Sequence, residues 1–273
     1  NDPIEFCHTV GTQLWPRLKQ VVKAIQTDRF VVVESGHGVG KTTTAAAIAC
    51  WWLQTHDEAK VVTLAPTHHQ VNGILWNYIR QIDDKHNLKG EVFATPRWII
   101  GPDRFAVGLS PRKASQEDLQ SLQGYHSPNL LVIMDEAPGL PRPMWEAVRG
   151  LVTGANDRVL ALGNPLEQAG PFHEACNSPN WTHVHISCLD HPNVTSGQER
   201  IPGAVSRTWV VEMLRDHCTR AEEGAPCRSN RGRRQGALAG LQGAFYARGD
   251  DQGGGPDRGR DGPEDPRPCA GAV

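Results

Sequence analysis

Eight consecutive residues, Ser35-Gly36-His37-Gly38-Val39-Gly40-Lys41-Thr42, combine three glycines with a lysine and a hydroxyl. That is the composition of a phosphate-binding turn. A glycine-rich backbone can point its N–H groups inward at phosphate oxygens, and a helix starting at the same place adds its positive dipole end. Lys41 is expected to bridge the β- and γ-phosphates of ATP, and the Thr42 hydroxyl to ligate Mg²⁺. With Thr43, the run Ser35, Gly36, His37, Gly38, Val39, Gly40, Lys41, Thr42 is the expected nucleotide-binding set. Ser35 replaces the first glycine of the usual G-x-x-x-x-G-K-[ST] spacing and is small enough to stand there.

A second constellation follows an apolar run. Leu130 to Met134 ends in Asp135-Glu136-Ala137. Two carboxylates at a strand end can merely cap it, but downstream of a phosphate turn they have a specific use. Asp135 would hold the hydration shell of Mg²⁺, and Glu136 would orient or deprotonate an attacking water. The expectation is that this acidic strand neighbours the strand carrying the turn.

The elements needed to position these groups are legible as alternation. Phe30 to Val33 reads as a buried strand and Thr42 to Leu53 as a helix. Val61 to Leu64 is the next strand, and His69 to Ile82 the next helix, with Val71, Ile74, Leu75, Tyr78 and Ile79 on one face. Trp98 to Ile100 and Phe105 to Val107 read as hairpin-like strands around Gly101-Pro102-Asp103. Leu130 to Met134 is the most apolar strand and is expected at the centre. Arg158 to Leu162 and His183 to Ile186 complete the sheet, and Ser206 to Cys218 reads as a last helix. The fold class is therefore α/β, a P-loop NTPase with a mainly parallel sheet flanked by helices. Residues 1–218 are expected to form this domain. Residues 219–273, dominated by Gly, Arg, Pro, Ala and Asp, are expected to form a disordered tail that cannot bury enough apolar surface to fold. The basic cluster Arg228 to Arg234 reads as part of that solvated tail.

Bulk properties narrow the setting. A net charge of −2 over 273 residues announces no global nucleic-acid field. Seven scattered cysteines without a C-x-x-C pair argue for reduced thiols in a cytoplasm, against a disulfide framework or structural zinc site. No stretch approaches the roughly 18 apolar residues of a membrane span. His183 and His185 share one strand face as metal ligands can, but with no third ligand evident a solvated edge is the expected reading.

Beyond this core the residues resemble one family. Ser35 to Thr43, Ala65-Pro66-Thr67 with Gln70 and Trp76, Gly124-Tyr125-His126 leading into Asp135-Glu136-Ala137, and Gly163-Asn164-Pro165 with Gly170-Pro171-Phe172 are similar, in that order, to the ATPase domain of phage terminase large subunits. The likeness runs from about Phe6 to Leu214. It implies a DNA-packaging motor with Lys41, Glu136 and Asn164 as catalytic residues and Thr42 and Asp135 at the metal. Asn164 would be the coupling residue, sensing hydrolysis and relaying it to a moving loop. The residues alone allow a Gly-Asn-Pro turn instead. Ala65-Pro66-Thr67 would contact DNA phosphates or relay the nucleotide state, although Thr67 can equally serve as a helix N-cap. Double-stranded DNA, a portal protein, a small terminase subunit and a homo-oligomeric ring are the partners the resemblance implies, in the cytoplasm of a bacterial host.

The chain also departs from the family pattern. Where that family often places an adenine-reading Gln, the aligned position is Leu18, with Gln13 and Gln20 nearby. Glu34 stands where some relatives carry an Arg, which leaves Arg149 and Arg158 as arginine-finger candidates. His126 can touch nucleotide or DNA, or simply pack. The family's C-terminal metal-dependent nuclease finds no counterpart in residues 219–273, so nuclease activity is not expected and the sequence reads as truncated before that domain. A helicase-type motor and an inactive nucleotide-binding prophage remnant are the competing readings.

Overall fold

Runs of β-branched residues bounded by turn formers build an eight-stranded sheet in the computed structural model, which describes residues 2–110, 122, 124–165 and 169–222, with side chains to residue 215. The strands are β1 (Phe30–Ser35), β2 (Ala59–Leu64), β3 (Glu91–Val92), β4 (Arg97–Gly101), β5 (Arg104–Leu109), β6 (Asn129–Met134), β7 (Arg158–Gly163) and β8 (Thr182–Ile186). Their spatial order is β3-β4-β5-β2-β6-β7-β1-β8. From β5 to β8 every pairing is parallel, while β3, β4 and β5 form an antiparallel margin. The expected hairpin is therefore present at β4–β5, and β6 lies inside the sheet as its apolar sequence required.

One expectation of topology fails. The acidic strand β6 does not neighbour β1; β7 is inserted between them, pairing Leu160 with Val31 on one side and Val159 with Val132 on the other. All three strands are continuous apolar runs, so nothing in their local pattern fixes which lies beside which.

Helices α1 (Pro3–Thr9), α2 (Pro16–Thr27), α3 (Lys41–Thr55) and α4 (Trp76–His86) belong to one face; α5 (Arg142–Leu151) and α6 (Pro171–Cys176) belong to the other. Period-two alternation divides the strands between two cores. Val31, Val33, Leu131, Ile133, Leu160 and Leu162 enter the first; Val32, Leu130, Val132, Met134, Val159 and Ala161 enter the second. Helix α3 is apolar all round and is buried continuously from Thr44 to Leu53, the behaviour of a central rather than a surface helix. Short helix α7 (Pro192–Ser196) and helix α8 (Arg207–Glu222) follow β8.

The helix expected over His69–Ile82 begins instead as a π-helical stretch, His69–Leu75, which passes directly into α4. Trp76, fully buried at this junction, donates from Nε1 to Thr63 Oγ1 at 2.8 Å, which anchors the bend to β2. Residues 1–215 form one compact unit. Helix α8 extends past the boundary expected at residue 218. The rest of the expected tail, including Arg228 to Arg234, lies outside the described residues, as do residues 111–121. Among the described residues no helix is long and apolar enough to cross a membrane, and Cys7, Cys50, Cys176 and Cys188 are free thiols.

Candidate functional site

The turn between β1 and α3 takes a left-handed backbone at two of its three glycines. Gly38 and Gly40 have φ values of 66° and 93°, a region a Cβ disfavours. A Cβ at Gly38 would also meet the Val205 backbone nitrogen at 3.1 Å, and that nitrogen already donates to Gly38 O at 2.9 Å. Trp15 Nε1 donates to Val39 O at 3.0 Å, so a second segment braces the turn from the α2 side. Helix α3 begins at Lys41 with Gly40 as its cap, one residue earlier than expected, which places Lys41, Thr42 and Thr43 in its first turn. First-turn N–H groups and the helix dipole thus face the concavity. Ser35 Oγ is buried and has no hydrogen-bond partner among the described residues, a group that a bound oxygen can satisfy.

Lys41, Glu136 and Asn164 are brought together. Lys41 is only 9% exposed, with Nζ 3.0 Å from Asn164 Oδ1 and 3.4 Å from Glu136 Oε1. Asn164 Nδ2 lies 3.0 Å from His37 Nδ1, so the amide spans the lysine and the side chain of the turn. The ends of β1, β6 and β7 therefore converge on one ammonium group. Glu136 adopts a left-handed conformation, φ 48° and ψ 43°. Such a conformation is uncommon and strained for a residue with a Cβ. It turns Glu136 away from the line of β6 and toward Lys41.

Asp135 is 2% exposed. Burial, and then the adjacent Glu136 carboxylate, push its carboxyl up to about 6, against the opposing pull of Lys41, the Glu136 backbone N–H and the Thr42 hydroxyl. A buried carboxyl with too little positive charge around it, beside a hydroxyl, is a hard-oxygen donor pair suited to Mg²⁺.

Next to Gly40 and Thr43 opens a cleft of about 430 Å³, lined among others by Gln13, Leu18, Tyr78, Lys85 and His191. Leu18, which stands at the family's adenine-reading position, lines this cleft, and of the two nearby substitutes Gln13 reaches it as well. Gln20 is engaged with Arg17 at 3.5 Å. Tyr78 and His191 had no signal in the sequence, since α4 and the β8–α7 connection meet α2 only in the folded chain.

Other candidates lie elsewhere. Arg158 begins β7, at the opposite end from Asn164, and donates to Ala155 O and Asp157 O. Arg149 is exposed in the last turn of α5. His126 is exposed beyond the amino end of β6, where its carbonyl accepts from Lys60 Nζ at 2.7 Å, so it does not join the phosphate turn. Thr67 and Gln70 cap each other: Thr67 N donates to Gln70 Oε1 at 3.0 Å and Gln70 N to Thr67 Oγ1 at 3.2 Å. These reciprocal bonds begin at Thr67, one residue ahead of His68, which caps the π-helical stretch, and Pro66 of the same segment occupies the space beside Gly139, just past the Asp135-Glu136 turn.

The expectation that His183 and His185 lack a third partner is corrected. They do stand on the edge strand β8, both exposed, but Glu34 of β1 reaches both. The link was invisible because it depends on strand register.

Comparison with known proteins agrees with this architecture. The family model described as "AAA domain" matches residues 19–169. The probable terminase large subunit of Enterobacteria phage P7 is 25% identical over 178 residues, which are 60% of this chain and 34% of that protein. The chain thus spans about a third of the length of this curated relative. Among solved structures, the large terminase ATPase domain of Thermus phage P74-26 superposes with a TM-score of 0.56 at 16% identity, covering 68% of this chain and 86% of that one. The large terminase of another thermophilic bacteriophage gives 0.50 at 14% identity, over 63% and 46% of the respective chains. That second terminase in complex with ADP also gives 0.50, at 11% identity over 63% and 45%. The fold is thus that of the large terminase ATPase domains, and the chain, matched over more than half its length, belongs to the AAA domain family.

Proposed function

We propose that this chain binds ATP with Mg²⁺ at the Ser35–Thr43 turn and hydrolyses it to drive movement of double-stranded DNA, as the motor part of a terminase large subunit. The observation that carries the reading is the convergence of Glu136 and Asn164, just past the ends of β6 and β7, on Lys41 at the start of α3. Lys41 is held ready to exchange its two protein partners for phosphate oxygens. Thr42 and Asp135 would hold Mg²⁺, which offsets phosphate charge when bound. Glu136 orients or deprotonates the attacking water, and Asn164, bonded to Lys41 and His37, registers the loss of the γ-phosphate. The ADP complex of the thermophilic-phage terminase and the AAA family match support nucleotide binding at this fold. By the same likeness, a portal protein, a small terminase subunit and further copies of this chain in a ring are the proposed partners, in the host cytoplasm.

ATP turnover with and without linear duplex DNA tests the proposal. DNA should stimulate hydrolysis, and Glu136→Gln should still bind ATP while turnover falls by about 10²-fold or more. Binding without any turnover in the unaltered chain would leave an inactive nucleotide-binding remnant as the better description.

A further inference from the structure

Outside the phosphate site, one carboxylate and two imidazoles converge on the β1–β8 edge. Register sets Glu34 directly opposite His185, and His183 lies two residues earlier on the same face. Glu34 Oε2 accepts from His183 Nε2 at 2.9 Å and from His185 Nδ1 at 3.2 Å. One ligand atom from each of the three residues lies within 4.8 Å of the other two. For zinc held at its usual 2.0–2.1 Å from nitrogen and oxygen, tetrahedral geometry separates neighbouring ligand atoms by about 3.3 Å. The two separations to Glu34 Oε2 fall just short of that value, and the two imidazole nitrogens lie within 4.8 Å of each other, so side-chain rotamer adjustment can bring the three onto one ion.

The surroundings fit an occupied site with an open face. Neighbouring Val184 and Ile186 point into the first core, which fixes the backbone that presents the histidines. The Glu34 side chain is 24% exposed, His183 32% and His185 60%, leaving room for water in a remaining position. Mixed imidazole and carboxylate donors select a borderline transition ion over Mg²⁺, which prefers oxygen alone.

We propose that Glu34, His183 and His185 form a binding site for a single Zn²⁺-class ion, distinct from the Mg²⁺ site and independent of the ATPase reading. The ion would clamp the edge strand to β1 one residue ahead of Ser35. It would replace two hydrogen bonds with three coordination bonds; in a neutral imidazole the ring proton would sit on the nitrogen that does not ligate, and only an imidazolium would release a proton to solvent.

The test uses the full chain, free of nucleotide. Calorimetric titration with Zn²⁺ should show one saturable equivalent that excess Mg²⁺ does not displace. Co²⁺ as a spectroscopic substitute should give the visible d–d bands of a four- or five-coordinate site without a strong thiolate charge-transfer band. His185→Ala, an exposed position whose loss leaves the core intact, and Glu34→Gln should each weaken binding by more than ~100-fold, beyond the roughly 10–100-fold that loss of an outer-shell partner typically costs. Metal-free circular dichroism confirms that the variants fold. No saturable binding, binding unchanged in both variants, or a thiolate-dominated Co²⁺ spectrum would overturn the assignment. The cluster would then serve as a hydrogen-bonded clasp only.

Discussion

Asn164 Oδ1 accepts a hydrogen bond from Lys41 Nζ at 3.0 Å, joining the end of β7 to the first residue of α3. The amide is neutral, so it can hold the ammonium in place without cancelling the charge that a phosphate would meet. A carboxylate there would compete with phosphate for the same cation. Asn164→Asp should therefore weaken ATP binding by about tenfold or more, while Asn164→Ala affects binding less and removes DNA stimulation of turnover. Fluorescent-nucleotide titration of both variants checks the order; equal affinities would show that the amide does not tune Lys41.

Lys41→Ala removes the one cation shared by Asn164 and Glu136. Turnover should fall by about 10²-fold or more, since a positioned charge at a developing anion contributes on that scale. The free protein should also melt at a lower temperature at neutral pH, because Asp135 and Glu136 lose the charge that offsets their proximity. Steady-state hydrolysis and a thermal melt decide both halves.

Gln13, which stands near the position aligned with the family's base-reading Gln, has a carboxamide with both donor and acceptor in the cleft, as does Gln81. Gln13→Ala should reduce the preference for ATP over GTP by about tenfold, with much less change in overall hydrolysis. Competition between the two nucleotides, measured as a ratio of kcat/KM values, is the readout. An unchanged ratio would exclude Gln13 from base recognition.

His191 connects the cleft to stability. Burial holds its imidazole below the ordinary value of about 6.5. Its Nδ1 accepts from the Asn193 backbone at 3.2 Å, a role available only to an unprotonated nitrogen. Because the unfolded chain takes up this proton first, stability from His191 is present above about pH 6.5 and is lost as pH falls toward the lower folded value. His191→Asn can keep the cap and lacks the titration. The melting temperature of the unaltered chain should therefore fall relative to the variant below about pH 6.5, and parallel curves would refute the linkage.

Local chemistry was legible where it lay in contiguous residues. The β1 strand, its glycine turn and the first turn of α3 form one stretch, as do β6 and Asp135-Glu136, and the strands, turn and helix of both stretches were readable from apolar runs and turn residues. What was not legible depends on strand order and register. β7 between β1 and β6 could not be read because continuous apolar strands are interchangeable in pattern. Glu34 meets His183 across 149 residues of sequence, and only parallel pairing of β1 with β8 joins them. The cleft beside Gly40 draws Gln13, Tyr78 and His191 from three separate segments. The π-helical stretch had no warning either, since its apolar spacing matches an ordinary helix closely enough to be mistaken for one.

The hydrogen bond from Val205 N to Gly38 O means that the phosphate turn is not a free hinge. Trp209, in the first turn of α8, sets its ring edge-on to His37 with centroids 6.5 Å apart, and Cys188 Sγ donates to His37 O at 3.3 Å, so the segment that follows β8 holds the same turn through Cys188, Val205 and Trp209. If Gly38 moves by more than the slack of one hydrogen bond, Val205 must either let go or travel with it. The turn and the start of that helix are therefore geared together like a latch and its lever. Trp209 stands at the surface end of the linkage, and since seven other tryptophans also emit, the lever's position is read as the part of the emission that Trp209→Phe removes.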